Sequence, residues 1–277
     1  MRNMGPNGNI IVLVTGSTDG VGRLVARRLA DHGARVLIHG RDHHRGKQVV
    51  DQIQAAGHGS AVFLPADLSS LAEVRRLADM VRQDCDRLNV LINNAGIGSG
   101  GSAGKRETSL EGYELRFAVN YLAGFLLTRL LLPLMMVSEP ARIVNVSSLA
   151  QQPIDFDDVM MTRGYTGGRA YAQSKLGQIM FTFDLARELD PNAITANCLH
   201  PATYMATTMV RQSGVTPVSS IEEGAEAILN LAVSNELDGH SGEFYNGLRL
   251  SRGSAQAYDA LARERLRALS MRLTGLA

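Results

Sequence analysis

The sequence predicts an α/β protein, a doubly wound parallel sheet with helices on both faces and a helical C-terminal extension. Three observations predict it. Short β-branched apolar runs alternate with longer helix-period segments. A glycine-rich turn joins the first such run to the first helix. No repeat, low-complexity block or linker divides the 277 residues.

Residues 10–14, all apolar and mostly β-branched, read as a strand buried on both faces. A helix follows over 21–31, with Gly33 as its stop. Val36-Leu37-Ile38 is a second strand, a basic, polar helix covers 42–56, and 61–64 is a third strand. Ser70-Leu71-Ala72-Glu73 has the form of a capping box and opens a helix with Val74, Leu77 and Val81 on its apolar side. Strands are expected over 90–92, 142–146 and 193–199, with a last one at Phe244 and Tyr245, about seven in all. Long helices fill 110–137 and 171–189. In the tail, 255–273 is helical, with Leu261, Leu266, Leu269 and Leu273 on one side and arginines on the other, a helix that should dock on the domain or on a neighbouring subunit. The expected organisation is a flexible N-terminus over 1–9, one domain over 10–250 and a helical extension over 251–277.

Composition narrows the function. Apolar residues make up 45% and charged residues 20%, enough for a core, which excludes disorder. The 28 basic and 27 acidic residues leave a charge of +1, against a nucleic-acid binder working by phosphate neutralisation. Cys85 and Cys198 stand far apart and outside any C-x-x-C pair, so neither a disulfide scaffold nor a zinc site is expected, and a cytoplasmic location fits. Residues 1–9 hold no apolar run of the signal-peptide kind. Residues 121–137 carry seven leucines and two adjacent methionines but are interrupted by Arg129 and Pro133. They read as a buried or subunit-facing helix, and no integral membrane span is expected. A homodimer through the long apolar helices is one expectation, with a monomer left open.

After the first strand stands Thr15-Gly16-Ser17-Thr18-Asp19-Gly20-Val21-Gly22. Glycines permit a tight turn and close approach of a pyrophosphate, and the next helix offers that anion its free N–H groups and positive end. The G-x-x-x-G-x-G spacing alone is compatible with a loop that binds nothing; its place at the start of the sheet favours a dinucleotide. The end of the second strand then selects the cofactor. Gly40 stands where NAD enzymes place an acid, and Arg41, with Arg45 and Lys47 nearby, suits an additional phosphate, so NADP(H) is preferred over NAD(H). Asp42 is the rival acid and reads better as a helix cap. His39, His43 and His44 lack the partners of a metal shell, and no metal is expected.

Tyr171 and Lys175, four apart, share one helix face. A nearby ammonium favours phenolate, which makes the tyrosine usable for proton exchange with an alcohol or carbonyl oxygen. Ser147 and Ser148 follow the fifth strand and Asn93-Asn94-Ala95-Gly96 the fourth, at the sheet edge where open α/β folds bind ligands. Asn120 is an amide inside an apolar helix.

With these motifs in this order, the chain resembles the short-chain dehydrogenase/reductase family over residues 10–247, in its single-domain Rossmann-like branch. It is most similar to the retinol-dehydrogenase-like oxidoreductases, through Arg142-Ile143-Val144-Asn145-Val146-Ser147-Ser148 and residues 171–189. The resemblance implies that Tyr171 is the general acid or base, that Lys175 lowers its pKa and holds the nicotinamide ribose, and that Ser148 bonds the reacting oxygen. Asn120 would support a water chain from Lys175, and Asp67, followed by Leu68, would contact the adenine. Asn94, Ala95 and Gly96 would line the cofactor.

Two departures stand out. After the sixth strand the usual Pro-Gly is Pro201-Ala202, which leaves Tyr204 as the nicotinamide contact by order. Ser148 and Tyr171 are 23 residues apart, longer than the family spacing, with Phe156, Met160 and Tyr165 between them as candidate substrate contacts or as surface filler. Met205, Met209, Val210 and Val215 hint at an apolar substrate or at an ordinary buried helix side. The expected function is an NADP(H)-dependent oxidoreductase interconverting a carbonyl compound and an alcohol. The alternatives are a non-catalytic NADP-binding regulatory or scaffold protein and, ranked lower, a sugar epimerase or dehydratase.

Overall fold

The computed structural model describes residues 10–100 and 105–277; the expected flexible segment 1–9 lies outside the described residues. Among the described residues, eight strands form one sheet: β1 (Ile11–Val14), β2 (Arg35–Gly40), β3 (Ser60–Pro65), β4 (Val90–Asn93), β5 (Ala141–Val146), β6 (Ile194–His200), β7 (Phe244–Asn246) and β8 (Arg249–Ser251). Their order is β3-β2-β1-β4-β5-β6-β7-β8, all pairs being parallel except β7 with β8. The strand order reverses between β1 and β4, and the crevice beyond their C-terminal ends is where such sheets bind ligands.

The parallel strands are buried on both faces, so successive side chains feed two cores. Leu13, Leu37, Leu91 and Ile143 enter one, with α3 (Leu71–Asp84), α4 (Ala123–Met136) and α5 (Gly167–Glu188). Val12, Val36, Ile92 and Val144 enter the other, with α1 (Gly20–Asp31), α2 (His43–Ala56) and α7 (Ile221–Val233). Between β6 and α7 lies the short α6 (Thr208–Gln212), and α8 (Ala260–Thr274) closes the chain.

Local signals set the boundaries. Asp42 Oδ1 accepts from the Arg45 N–H and caps α2, so it is committed as a cap. Ser70 caps α3 through the Glu73 N–H, but Glu73 turns to Arg76 while the Ser70 N–H donates to the Asp67 carbonyl, so only half of the expected box forms. The helix expected from residue 110 starts later. Leu110 is 84% exposed in a turn, and the Glu114 carboxylate accepts from the Phe117 N–H at 2.7 Å, starting a π-helical turn (Phe117–Leu122) that runs into α4. This helix runs on through Pro133 to Met136, as expected for its second half. Phe117–Met136 is, among the described residues, the one helix long and apolar enough to cross a membrane, and most of it is buried inside the protein.

Two further expectations are corrected. The sheet gains an eighth strand, because Gly247, with φ of +59°, lets the chain reverse after β7 into an antiparallel hairpin. In α8 Leu266 is buried and Leu269 and Leu273 pack against the core as expected, but Leu261 is 71% exposed, and Ala262, Arg263, Ser270 and Thr274 are buried in addition, Ser270 Oγ meeting the buried Tyr121 hydroxyl at 2.7 Å.

Candidate active site

The glycine turn is shaped by close contacts no side chain could enter. Gly16 and Gly20 have φ of +66° and +54°. A Cβ on Gly22 would lie 2.3 Å from the Gly16 carbonyl oxygen and 2.4 Å from Asn94 Nδ2. Asn94 Nδ2 donates to the carbonyls of Thr15 (2.8 Å) and Gly16 (3.1 Å), and the Ala95 N–H donates to Thr15 Oγ1, so the loop after β4 braces the turn after β1. Ser17 is bolted to β2: its Oγ accepts from the His39 N–H at 2.9 Å and donates to the Val14 carbonyl at 2.7 Å. His39 itself accepts from the Gly16 N–H through Nδ1 at 3.1 Å, and burial pulls its pKa down to about 4, so it is a neutral acceptor. This support was missed in the sequence, where a lone histidine on a strand carries no sign of its partner. Asp19 caps α1, whose N-terminus faces the turn, and Val21 anchors that helix in the core. The result is an anion cradle of backbone, which fits a dinucleotide pyrophosphate.

At the end of β2, Gly40 packs directly under Thr18, where a Cβ would come within 2.6 Å of the threonine methyl. Arg41 is largely exposed, 3.9 Å from the Asp67 carboxylate, and Asp67 also accepts from the Ser69 N–H. Leu68 is buried in the core. Arg45 pairs with Asp19 and Asp42, and Lys47 with Asp51, so Arg41 is the cation least committed to other groups at this spot. His43 packs on Phe63 and His44 meets Gln48, each away from His39.

The catalytic candidates converge at the C-terminal edge. The Tyr171 hydroxyl faces the Ser148 side chain, whose Oγ accepts from the Ala150 N–H. Ser147 instead donates to the Lys175 carbonyl at 2.7 Å, which leaves Ser148 as the candidate serine beside Tyr171. Lys175 Nζ lies 5.7 Å from the Tyr171 ring centre and donates to the Val146 carbonyl and to Gln178 Oε1, both at 2.9 Å. Gln178 was not foreseen, although its place three residues after Lys175 puts it on the same helix face. Asn120 lies in the π-helical turn; its Oδ1 accepts from the Ile97 N–H at 2.8 Å, and its Nδ2 donates to the Ile97 carbonyl and to Ser174 Oγ. Gly96 sits against both Asn120 and Lys175, where a Cβ would be 3.2 Å from Oδ1 and 3.6 Å from Nζ.

The electrostatics differ from the expectation. Burial lowers the Lys175 ammonium to about 7, and burial also holds the Tyr171 phenol above its ordinary value, opposed by the neighbouring Ser148 hydroxyl. Desolvation therefore outweighs the pull of an ammonium whose donors are directed at Val146 and Gln178. His200, buried nearby, is lowered to about 4 by burial and by Lys175, and its Nε2 meets Thr203 Oγ1.

Other candidates lie apart from this cluster. Pro201 is buried, but Tyr204 is 52% exposed in a left-handed conformation (φ +45°), its carbonyl accepting from the Val218 N–H. Met205 packs with the core on the α1 and α7 side, whereas Met209 is exposed beside Gly98. Phe156 stacks under Arg265, and Tyr165 bonds Arg116 and Glu114.

The family model for the short chain dehydrogenases matches residues 10–216. Human retinol dehydrogenase 13 is 36% identical over 286 residues, covering 96% of this chain and 84% of that protein, and human retinol dehydrogenase 12 is 34% identical over 278 residues, covering 96% and 86%. Among solved structures, the Pseudomonas aeruginosa RhlG/NADP active-site complex aligns with a TM-score of 0.68 at 29% identity, covering 86% of this chain and 94% of that one. The glycine cradle, the reversal of strand order and the Ser148–Tyr171–Lys175 cluster are thus accompanied by sequence similarity over nearly the whole chain: it belongs to the short-chain dehydrogenase/reductase family of oxidoreductases.

Proposed function

We propose that this oxidoreductase uses NADP(H) to interconvert an apolar aldehyde or ketone and its alcohol, with Tyr171 exchanging the proton. The observation that carries the reading is the Tyr171 hydroxyl facing Ser148, with Lys175 Nζ from the same helix 5.7 Å from the Tyr171 ring centre. Two hydroxyls can address one substrate oxygen, and bound nicotinamide supplies or accepts the hydride. In reduction Tyr171, protonated at neutral pH, donates its proton to that oxygen; in oxidation it takes the proton back. Lys175 and Asn120 hold the floor of the site through Val146, Gln178 and Ile97.

The residues that would hold the cofactor are Gly16, Ser17, Thr18, Asp19, Gly20, Val21 and Gly22 at the pyrophosphate, Asp67 and Leu68 at the adenine end, and Asn94 to Gly96 beyond. For NADP(H) in particular, Arg41 offers a guanidinium at the end of β2 where Gly40 leaves no carboxylate, and RhlG, a structural neighbour, is an NADP complex. The retinol dehydrogenases among the relatives, together with Met209 and Val215 exposed after β6, support an apolar substrate.

The test is a fluorescence titration of NADPH and NADH into wild type and Arg41→Ala, then NADPH oxidation with all-trans-retinal and octanal. Tight NADPH binding with turnover that Tyr171→Phe abolishes supports the reading. NADPH binding with no turnover of any carbonyl compound moves the scaffold alternative to first place.

A further inference from the structure

We propose that half-buried Tyr165 and the buried pair Glu114 and Arg116 form a clamp that registers the two walls of the catalytic cleft, with Arg116 and Tyr165 as positioning residues for the substrate. The inference deepens the reading of the cleft as an aldehyde and alcohol site and rests on it for its catalytic part.

One wall is the long segment between Ser148 and Tyr171. It ends at Thr166, the N-cap of α5, and hangs along that helix's first turns: Gln173 Nε2 donates to the Val159 carbonyl at 2.8 Å, and the Asp155 N–H donates to Gln173 Oε1 at 3.3 Å. The other wall is Gly96 to Gly98. Asn120 grips Ile97 at both its N–H and its carbonyl, and Arg116 Nε donates to the Gly98 carbonyl at 3.0 Å.

The clamp joins the two. Arg116 Nη1 donates to the Tyr165 hydroxyl at 2.7 Å, and that hydroxyl donates to Glu114 Oε1 at 3.1 Å. Glu114 and Arg116 also pair directly at 3.5 Å, with side chains 1% and 3% exposed. The second Glu114 oxygen starts the helical turn that carries Asn120. Burial, with Glu114 next, pushes the Tyr165 phenol up to about 12, so it remains a donor. A second tie supports the first, since Arg106 Nε donates to the Met160 carbonyl at 3.0 Å.

A buried ion pair with its remaining valences hydrogen-bonded has one favourable geometry, and losing a member leaves charge uncompensated. Here that single geometry spans two segments, one bonded to Ala172 and Gln173 next to Tyr171 and the other continuing from Gly96 beside Lys175. Small shifts of such walls change substrate placement more than they change chemistry. The extra length between Ser148 and Tyr171 thus supplies a tyrosine that reaches the opposite wall.

The test uses the full chain with Tyr165→Phe, which keeps the ring, and Glu114→Gln as the second variant. Hydrogen exchange on the free protein is expected to quicken in both 155–165 and 97–99 while α1 and α7 are unchanged. With NADPH and octanal, Tyr165→Phe is expected to raise KM about tenfold, the scale of one hydrogen bond to a charged group, with kcat within about twofold. Faster exchange confined to 155–165, no change in either segment, or an unmoved KM in an active enzyme overturns the proposal. If wild type turns over neither octanal nor all-trans-retinal, the catalytic reading fails, and the exchange pattern alone decides the clamp.

Discussion

Lys175 Nζ donates to the carbonyl of Val146, the last residue of β5, at 2.9 Å, and Ser147 Oγ returns a bond to the Lys175 carbonyl at 2.7 Å. The two bonds cross between strand end and helix. They fix Ser148, next in the chain, against Tyr171, one helical turn before the lysine. The lysine is thus a structural link as well as a charge, and its burial has a thermodynamic consequence.

The Lys175 pKa of about 7 in the fold lies below its ordinary value of 10.5, so between those limits the unfolded chain binds more protons than the folded one. Stability from this group therefore rises with pH through that window and is lowest below pH 7. Lys175→Met removes the term. Urea denaturation at several pH values is expected to show wild type gaining on the variant between about pH 7 and pH 10. A constant difference over that range refutes the buried, uncharged lysine.

Tyr171→Phe is expected to lower kcat/KM at least about 100-fold, the usual share of a general acid or base, while NADPH still binds. Because burial raises the phenol, the protonated form serves reduction across neutral pH, and alcohol oxidation should climb with pH as the phenolate forms. Ser148→Ala deletes the neighbouring hydroxyl that favours the phenolate, so the alkaline limb of oxidation should move to higher pH. An unchanged limb in pH–rate profiles contradicts that role.

Arg41→Ala is expected to weaken NADPH binding roughly 10-fold or more and to leave NADH within about twofold, since a charge-assisted contact to phosphate is lost. Equal losses for both cofactors in the fluorescence titration would place Arg41 away from the phosphate.

Gly22→Ala introduces a Cβ 2.3 Å from the Gly16 carbonyl, and backbone must move to admit it. A cost of about 1–3 kcal/mol, a Tm several degrees lower and loss of cofactor binding are expected by calorimetry and titration. Gly57→Ala is the contrast: its Cβ would meet nothing within 4 Å, though φ of +74° still strains it, so stability should fall with cofactor affinity intact.

Local patterns along the chain determined much of this protein. Apolar runs with β-branched residues specify strands wherever both faces are buried, and Asp42, Ser70 and Gly33 mark helix ends through bonds to near neighbours. The Tyr171–Lys175 spacing is likewise local, because four residues make one turn. What the tertiary structure alone decided involves partners distant in sequence. The start of the helix carrying Asn120 depends on the Glu114 carboxylate, β8 depends on an edge left open by β7, and His39 becomes an acceptor only because Gly16 lies against it. Most telling is the charge of Lys175. Sequence places an ammonium one turn from a phenol, but the cost of burying it and the direction of its hydrogen bonds are set by β5 and Gln178, and desolvation depends on the whole surrounding volume.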